Sequence, residues 1–145
     1  MVGFSKLDDL YIGIDLGGTK ILGLVANSRG EVFGESILPT PSNENFSSSV
    51  AVISRMVSEL FVEIPKANIR GVGVAAAGAI DLSSGTVVHT PQLPSWQNVP
   101  LVSILEKQFG LPVVMGNDAN LAALSEHRYG IAKGIKNVLY VTVST

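Results

Sequence analysis

The 145-residue chain has no cysteine, which removes both a disulfide framework and any thiolate metal site. Histidine is nearly as scarce, and His89 and His127 stand too far apart to make a zinc site. Charged residues are only 15% of the chain against 46% hydrophobic, a balance that excludes a disordered protein. The ten basic residues are scattered and the net charge is −2, so no electrostatic footprint for nucleic acid exists. No apolar run reaches the roughly 18–20 residues of a membrane span, and the opening Met1-Val2-Gly3-Phe4-Ser5-Lys6 lacks a signal-peptide core. The expectation is a soluble cytoplasmic protein with neither nucleic-acid nor membrane partners. Its length suits one domain with a real core and not comfortably two.

What is present is concentrated in Asp15-Leu16-Gly17-Gly18-Thr19-Lys20, directly behind a short apolar strand at residues 11–14. A carboxylate at a strand end can face magnesium, directly or through water, because magnesium keeps much of its hydration shell. Glycines let backbone N–H groups approach phosphate oxygens with no Cβ in the way. Thr19 and Lys20 add a hydroxyl and a positive charge. In the strand pleat Tyr11, Gly13 and Asp15 share one face, while Ile12, Ile14 and Leu16 share the other.

A Walker A loop nearly fits, since Gly13 and Gly18 have its separation, but that motif requires Lys and then Ser or Thr, followed by a helix. Here the order is Thr19-Lys20, and residues 21–26 read as a strand closed by the turn Asn27-Ser28-Arg29-Gly30. Residues 31–37 make a third strand, so the loop joins strands of a meander. The bland alternative is a plain Gly-Gly hairpin turn, which explains Gly17 and Gly18 but not Asp15.

Downstream, Val50, Ile53, Val57, Leu60, Phe61 and Ile64 fall on one helical stripe that Pro65 ends. Residues 69–75 form a nearly unbroken apolar run, expected as a strand buried on both faces. A long polar excursion over 81–98 holds one short strand at 86–89. A second helix runs from Pro100 to Gly110, proline at its start and glycine at its end. Residues 112–115 form a strand, 119–129 a third helix and 137–143 a last strand. Strands alternating with helices after a meander predict one α/β domain, a mixed sheet with helices on both faces.

Two further sites follow. Gly116-Asn117-Asp118-Ala119-Asn120 lies between a buried strand and a helix, where α/β sheets bind ligands. Asp15 and Asp118 on one sheet rim suggest divided labour, Asp15 for metal and phosphates and Asp118 to accept a proton from an attacking hydroxyl. Asn117 can donate and accept hydrogen bonds to sugar hydroxyls. The competing role for Asp118 is a helix N-cap. Residues 71–81 match a loose G-x-G-x-x-A dinucleotide pattern, but the glycines fall inside the strand and no helix opens behind them. They read instead as a strand feeding a small-residue loop around Gly78 that leaves room for a ligand.

Together these sites resemble the ROK family of sugar kinases and sugar-responsive repressors, within the actin/hexokinase-like (ribonuclease H-like) ATPase fold. Residues 15–20 are similar to its first phosphate motif. Residues 73–81 are similar to its sugar-side loop, with Ala77 where proline is usual and Ala75 where glycine is common. Leu93-Pro94-Ser95-Trp96 with Val99-Pro100-Leu101 resembles its connecting segment, and Asn117-Asp118-Ala119-Asn120 its catalytic motif.

The resemblance implies a five-stranded mixed sheet and an ATP- and magnesium-dependent kinase acting on a hexose, glucose first. Asp118 would be the general base. Asp15, Gly17, Gly18, Thr19 and Lys20 would hold the nucleotide, with Asp15 at the metal; Gly78, Asn117 and Asp118 would hold the sugar. It also implies a homodimer as the common assembly, and a second domain carrying a further phosphate loop, adenosine contacts and a zinc motif. Residues 1–145 are then the N-terminal domain, expected to bind nucleotide weakly and to catalyse poorly or not at all alone. A repressor of the family is the alternative, but the few residues before the first strand are too short for its helix-turn-helix. A chaperone or filament ATPase of the superfamily would have no need of the Asn117–Asp118 site.

Overall fold

The computed structural model describes residues 9–64 and 68–143. Three antiparallel strands open the chain: β1 (Leu10–Leu16), β2 (Lys20–Asn27) and β3 (Val32–Pro39). Leu10, Ile12, Ile14 and Leu16 are each no more than 3% exposed. The β2–β3 turn closes on the buried Asn27, whose Oδ1 accepts from the N–H groups of Arg29 (3.0 Å) and Glu31 (3.1 Å). Such an Asx turn is why asparagine suits the position.

Two parallel strands complete the sheet, β4 (Ile69–Ala76) on β1 and, later in the chain, a strand at Val113–Asn117 on β4. Between them Ala79–Asp81 (β5), Thr86–His89 (β6) and Gln97–Val99 (β7) form a separate antiparallel sheet. Numbering Val113–Asn117 as β8, the main sheet has the order β3-β2-β1-β4-β8. This is the expected mixed five-stranded sheet.

Helix α1 (Phe46–Glu63) is capped by Asn45, whose side chain accepts from Ser48 N–H at 3.2 Å. Its C-cap Ile64 is extended at φ −123° and ψ 117°, the conformation a residue before proline prefers. Pro65 itself lies outside the described residues. Helix α2 (Leu101–Phe109) ends on Gly110 in the left-handed region at φ 64°. Helix α3 (Asp118–Arg128) follows β8 without a break. Gly23, level with Ile14 in the sheet, faces Met56 of α1, whereas Gly116, level with Asp15 through Ala75, faces Leu121 of α3. Helices α1 and α3 therefore cover opposite faces.

Three expectations need correction. Strand β4 alternates between buried and half-buried residues and is not buried on both faces. Its half-buried side carries Gly71, Gly73 and Ala75, whose small size makes the run look uniformly apolar in sequence. The 81–98 excursion contributes three strands with Ala79–Asp81, not one, because short polar strands carry little periodic signal. Residues 137–143 form no strand: they pair with neither edge of the main sheet, and Leu139, Val141 and Val143 stand 87%, 69% and 94% exposed. Strand preference reports fit to a half-buried pleated surface, and this segment pairs with none. Trp96, by contrast, is fully buried and packs edge to face on Phe46 with ring centroids 6.4 Å apart, as a residue covering apolar surface should. Among the described residues no helix is long and apolar enough to cross a membrane.

Candidate active site

The register of the parallel strands sets the floor of a cleft. Asp15 is level with Ala75, and Ala75 with Gly116. A methyl group and a hydrogen leave no bulk beside the Asp15 carboxylate. A Cβ on Gly116 would stand 2.8 Å from Leu121 Cγ, so glycine is what lets α3 lie this close. One residue further on, Leu16, Ala76 and Asn117 are level, and Asp118 opens α3. Both carboxylates thus stand at the carboxyl ends of parallel strands, the ligand-binding rim of an α/β sheet. They line one cleft of about 380 Å³ with Leu121, Ala122 and Ser125 of α3 and with Tyr140 and Thr142 of the last segment. That volume suits a small-molecule ligand.

Asp118 acts on the charge of Asp15. Asp15 titrates above its ordinary 3.8, first because burial disfavours its charge and next because Asp118 repels it, while Lys20 pulls the other way. Two hard oxygen donors facing one space suit magnesium, which takes one or two carboxylates and completes its shell with water and substrate phosphates. No group of three or more His, Asp or Glu gathers among the described residues, so an all-protein metal cage is not what this cleft offers.

The raised Asp15 pKa also has a consequence for stability. Between 3.8 and the folded-state value the folded chain holds the proton more tightly than the unfolded chain, so stability falls as pH rises through that window. Above it the charged, partly buried Asp15 is a constant cost. Asp15→Asn is therefore expected to melt higher than wild type near neutral pH, with the gain vanishing below pH 3.8. Melting curves across pH check the sign: a variant less stable than wild type at neutral pH contradicts it.

Residues 17–20 form the tight β1–β2 hairpin beside Asp15. Gly17 N–H donates to Lys20 O at 3.1 Å, so that donor is spent within the turn. The N–H groups of Gly18 and Thr19 have no acceptor among the described residues. Neither glycine has a positive φ, which rules out the primed turns that would make a plain Gly-Gly hairpin the whole explanation. Their need is close approach: a Cβ on Gly17 would lie 2.8 Å from Lys20 O, and one on Gly18 2.5 Å from Gln92 Cβ.

Thr40 clamps the hairpin from the β3–α1 connection. Its Oγ1 donates to Gly17 O at 2.7 Å and its N–H to Thr19 O at 2.9 Å. Sequence reasoning missed it, because a threonine in a Pro- and Ser-rich turn carries no signal of which strand end it will meet.

On the other flank Gly78 and Asn117 come together. Asn117, not Asp118, is the N-cap of α3: its Oδ1 accepts from Asn120 N–H at 3.2 Å. Its Nδ2 donates toward Gly78 O at 3.4 Å. Asp118, relieved of capping the helix, is exposed in the cleft and accepts from Ala119 N–H at 2.8 Å. Asp81, the acid of the small-residue loop, is engaged elsewhere. It accepts from Ser83 N–H, Ser83 Oγ and Ser84 Oγ in the β5–β6 turn, which holds its pKa down to about 2. Of the expected site residues, Asp15 and Asp118 line the cleft, whereas Gly17, Gly18, Thr19, Lys20, Gly78 and Asn117 are not among its lining residues.

Comparison with known proteins agrees with this architecture. The chain is 35% identical to the glucokinase of Streptomyces coelicolor over 94% of its own length and 41% of that protein's. It is 34% identical to the xylose repressor of Caldicellulosiruptor bescii over 91% of its length and 33% of the repressor's. In structure it matches a ROK family glucokinase from Streptomyces griseus, solved with glucose and AMPPNP, with a TM-score of 0.77 and 35% identity, covering 86% of this chain and 38% of that one. An inorganic polyphosphate/ATP-glucomannokinase from Arthrobacter gives a TM-score of 0.78 at 34% identity, covering 89% and 52%. The chain thus spans well under half the length of the curated relatives it matches. The sequence pattern of the ROK family matches residues 11–145, and the chain belongs to that family, with its actin/hexokinase-like ATPase fold.

Proposed function

We propose that this chain forms one lobe of an ATP-dependent hexose kinase of glucokinase type. The observation that carries the reading is the pair Asp15 and Asp118 facing one cleft, each flanked by a different kind of polar equipment. Beside Asp15 stand a hairpin with two unspent N–H groups and the Lys20 ammonium, suited to phosphates. Beside Asp118 stand Asn117 and the Gly78 loop, suited to a polyol. The glucose and AMPPNP held by the Streptomyces griseus relative support the same pairing of ligands.

In this reading Asp118 takes the proton from a sugar hydroxyl as its oxygen bonds to the γ-phosphorus. The bond from that phosphorus to the β–γ bridging oxygen breaks, and ADP leaves. Gly18, Thr19 and Lys20 hold the phosphates in line, and Asn117 and Gly78 orient the sugar. Magnesium, when bound, supplies charge neutralisation on the phosphates, and Asp15 is the residue that would hold it, directly or through water. A proton acceptor of this kind contributes about 10²–10⁴-fold in rate.

The share of its relatives' length that the chain covers supports reading residues 1–145 as the N-terminal domain of a longer kinase. Alone it should turn over far below the roughly 1–100 per second usual for kinases. The second reading, the sugar-binding part of a repressor, is favoured by the xylose-repressor likeness. A coupled assay of hexose-dependent ADP release, run on this chain and on the uninterrupted coding frame, separates them. Turnover by the longer protein supports the kinase. Hexose binding without turnover supports the repressor, and ordinary kinase rates from residues 1–145 alone overturn the one-lobe reading.

A further inference from the structure

The connection between β6 and β7 passes over the β1–β2 hairpin, and Gln92 is where the two meet. A Cβ on Gly18 would lie 2.5 Å from Gln92 Cβ and 3.0 Å from its Cγ, so the Gln92 stem rests directly on the Gly18 α carbon. The carboxamide is held from the other side, its Oε1 accepting from Thr90 Oγ1 at 3.0 Å. Thr90 is 3% exposed, and its main chain abuts Gly78, where an added Cβ would stand 2.8 Å from Thr90 Cα. Leu93, 2% exposed, anchors the turn in the core and donates its N–H to Thr90 O at 3.2 Å. An unbroken line of contact therefore runs from Gly18 through Gln92 and Thr90 to Gly78, joining the β1–β2 hairpin to the Gly78 loop.

We propose that Gln92 is a positioning residue that fixes the Gly18–Thr19 tip against the Gly78 loop and so sets the grip on nucleotide phosphates. The inference rests on reading residues 17–20 as the phosphate hairpin. Thr40 holds that hairpin through the Gly17 and Thr19 carbonyls, which leaves the Gly18 end to Gln92. Donor alignment decides the strength of a hydrogen bond, so a tip free to rock binds phosphate less well. A surface glutamine that merely covers the hairpin would not discriminate between the two ligands.

The test joins backbone ¹⁵N relaxation of the unliganded complete protein to its separate titrations with Mg·AMPPNP and with glucose. In Gln92→Ala the order parameters of Gly18 and Thr19 are expected to fall below about 0.6. The nucleotide Kd should rise about threefold or more while the glucose Kd holds. Gly18→Ala should weaken nucleotide binding, and Gln92→Gly added to it should restore part of the loss, a non-additivity of about threefold or more. Unchanged order parameters in Gln92→Ala, or a Kd change shared equally by both ligands, overturn the proposal. If wild type binds no nucleotide, the phosphate reading of the hairpin fails, and the relaxation data still decide whether Gln92 fixes the tip.

Discussion

Asp118→Asn in the complete protein is expected to lose about 10²-fold or more in kcat while hexose binding stays within about threefold. The amide keeps the shape of the carboxylate and can still accept from Ala119 N–H, a bond of 2.8 Å in the native chain. The helix cap is untouched, because Asn117 supplies it. What disappears is the ability to take a proton. A second signature separates chemistry from structure: Asp118 repels the Asp15 charge, so removing it should lower the Asp15 pKa toward its ordinary value. A variant with unchanged kcat would leave Asp118 as a helix-start carboxylate with no catalytic role.

Gly78→Ala carries the largest expected cost in stability. Gly78 sits at φ +91°, where a Cβ is strained whatever the space around it. The space is also missing: an added Cβ would collide with His89 O and lie 2.8 Å from Thr90 Cα. Both obstacles are backbone, which cannot rotate away as a side chain can. Conformational strain of about 1–2 kcal/mol and overpacking of about 1–3 kcal/mol together give a loss of about 2–5 kcal/mol in denaturant unfolding. Relief by displacement would move Gly78 O from Asn117 Nδ2, so hexose affinity should fall as well. A variant within about 0.5 kcal/mol of wild type, the usual range for harmless surface changes, would mean that the loop is free to shift and does not frame the site.

Much of this is legible in the sequence alone. Period-two alternation puts Ile12, Ile14 and Leu16 on one face and Asp15 on the other, and the first face is the buried one. Helical spacing found α1, and the proline-to-glycine bracket found α2. The two carboxylates are legible because each follows an apolar run at the end of a strand, although for Asp118 a helix cap explains the charge as well. What stayed hidden was long-range. That Asn117 caps α3, leaving Asp118 exposed in the cleft, depends on a one-residue choice of helix start that sequence does not specify. Thr40 and Gln92 reach the hairpin from connections whose paths follow from the packing of other elements. Residues 137–143 misled because an alternating apolar segment states that it can pair, not that a partner is at hand.

If Asp15 and Asp118 serve two different ligands, amide chemical-shift mapping of the complete protein separates the two sets of residues. Glucose is expected to move the signals of Gly78, Asn117 and Asp118, and Mg·AMPPNP those of Gly18, Thr19 and Lys20. Asp15 should respond to the nucleotide only with magnesium present. Shifts from both ligands scattered away from these residues, or a nucleotide response confined to the Asn117 flank, would contradict the account.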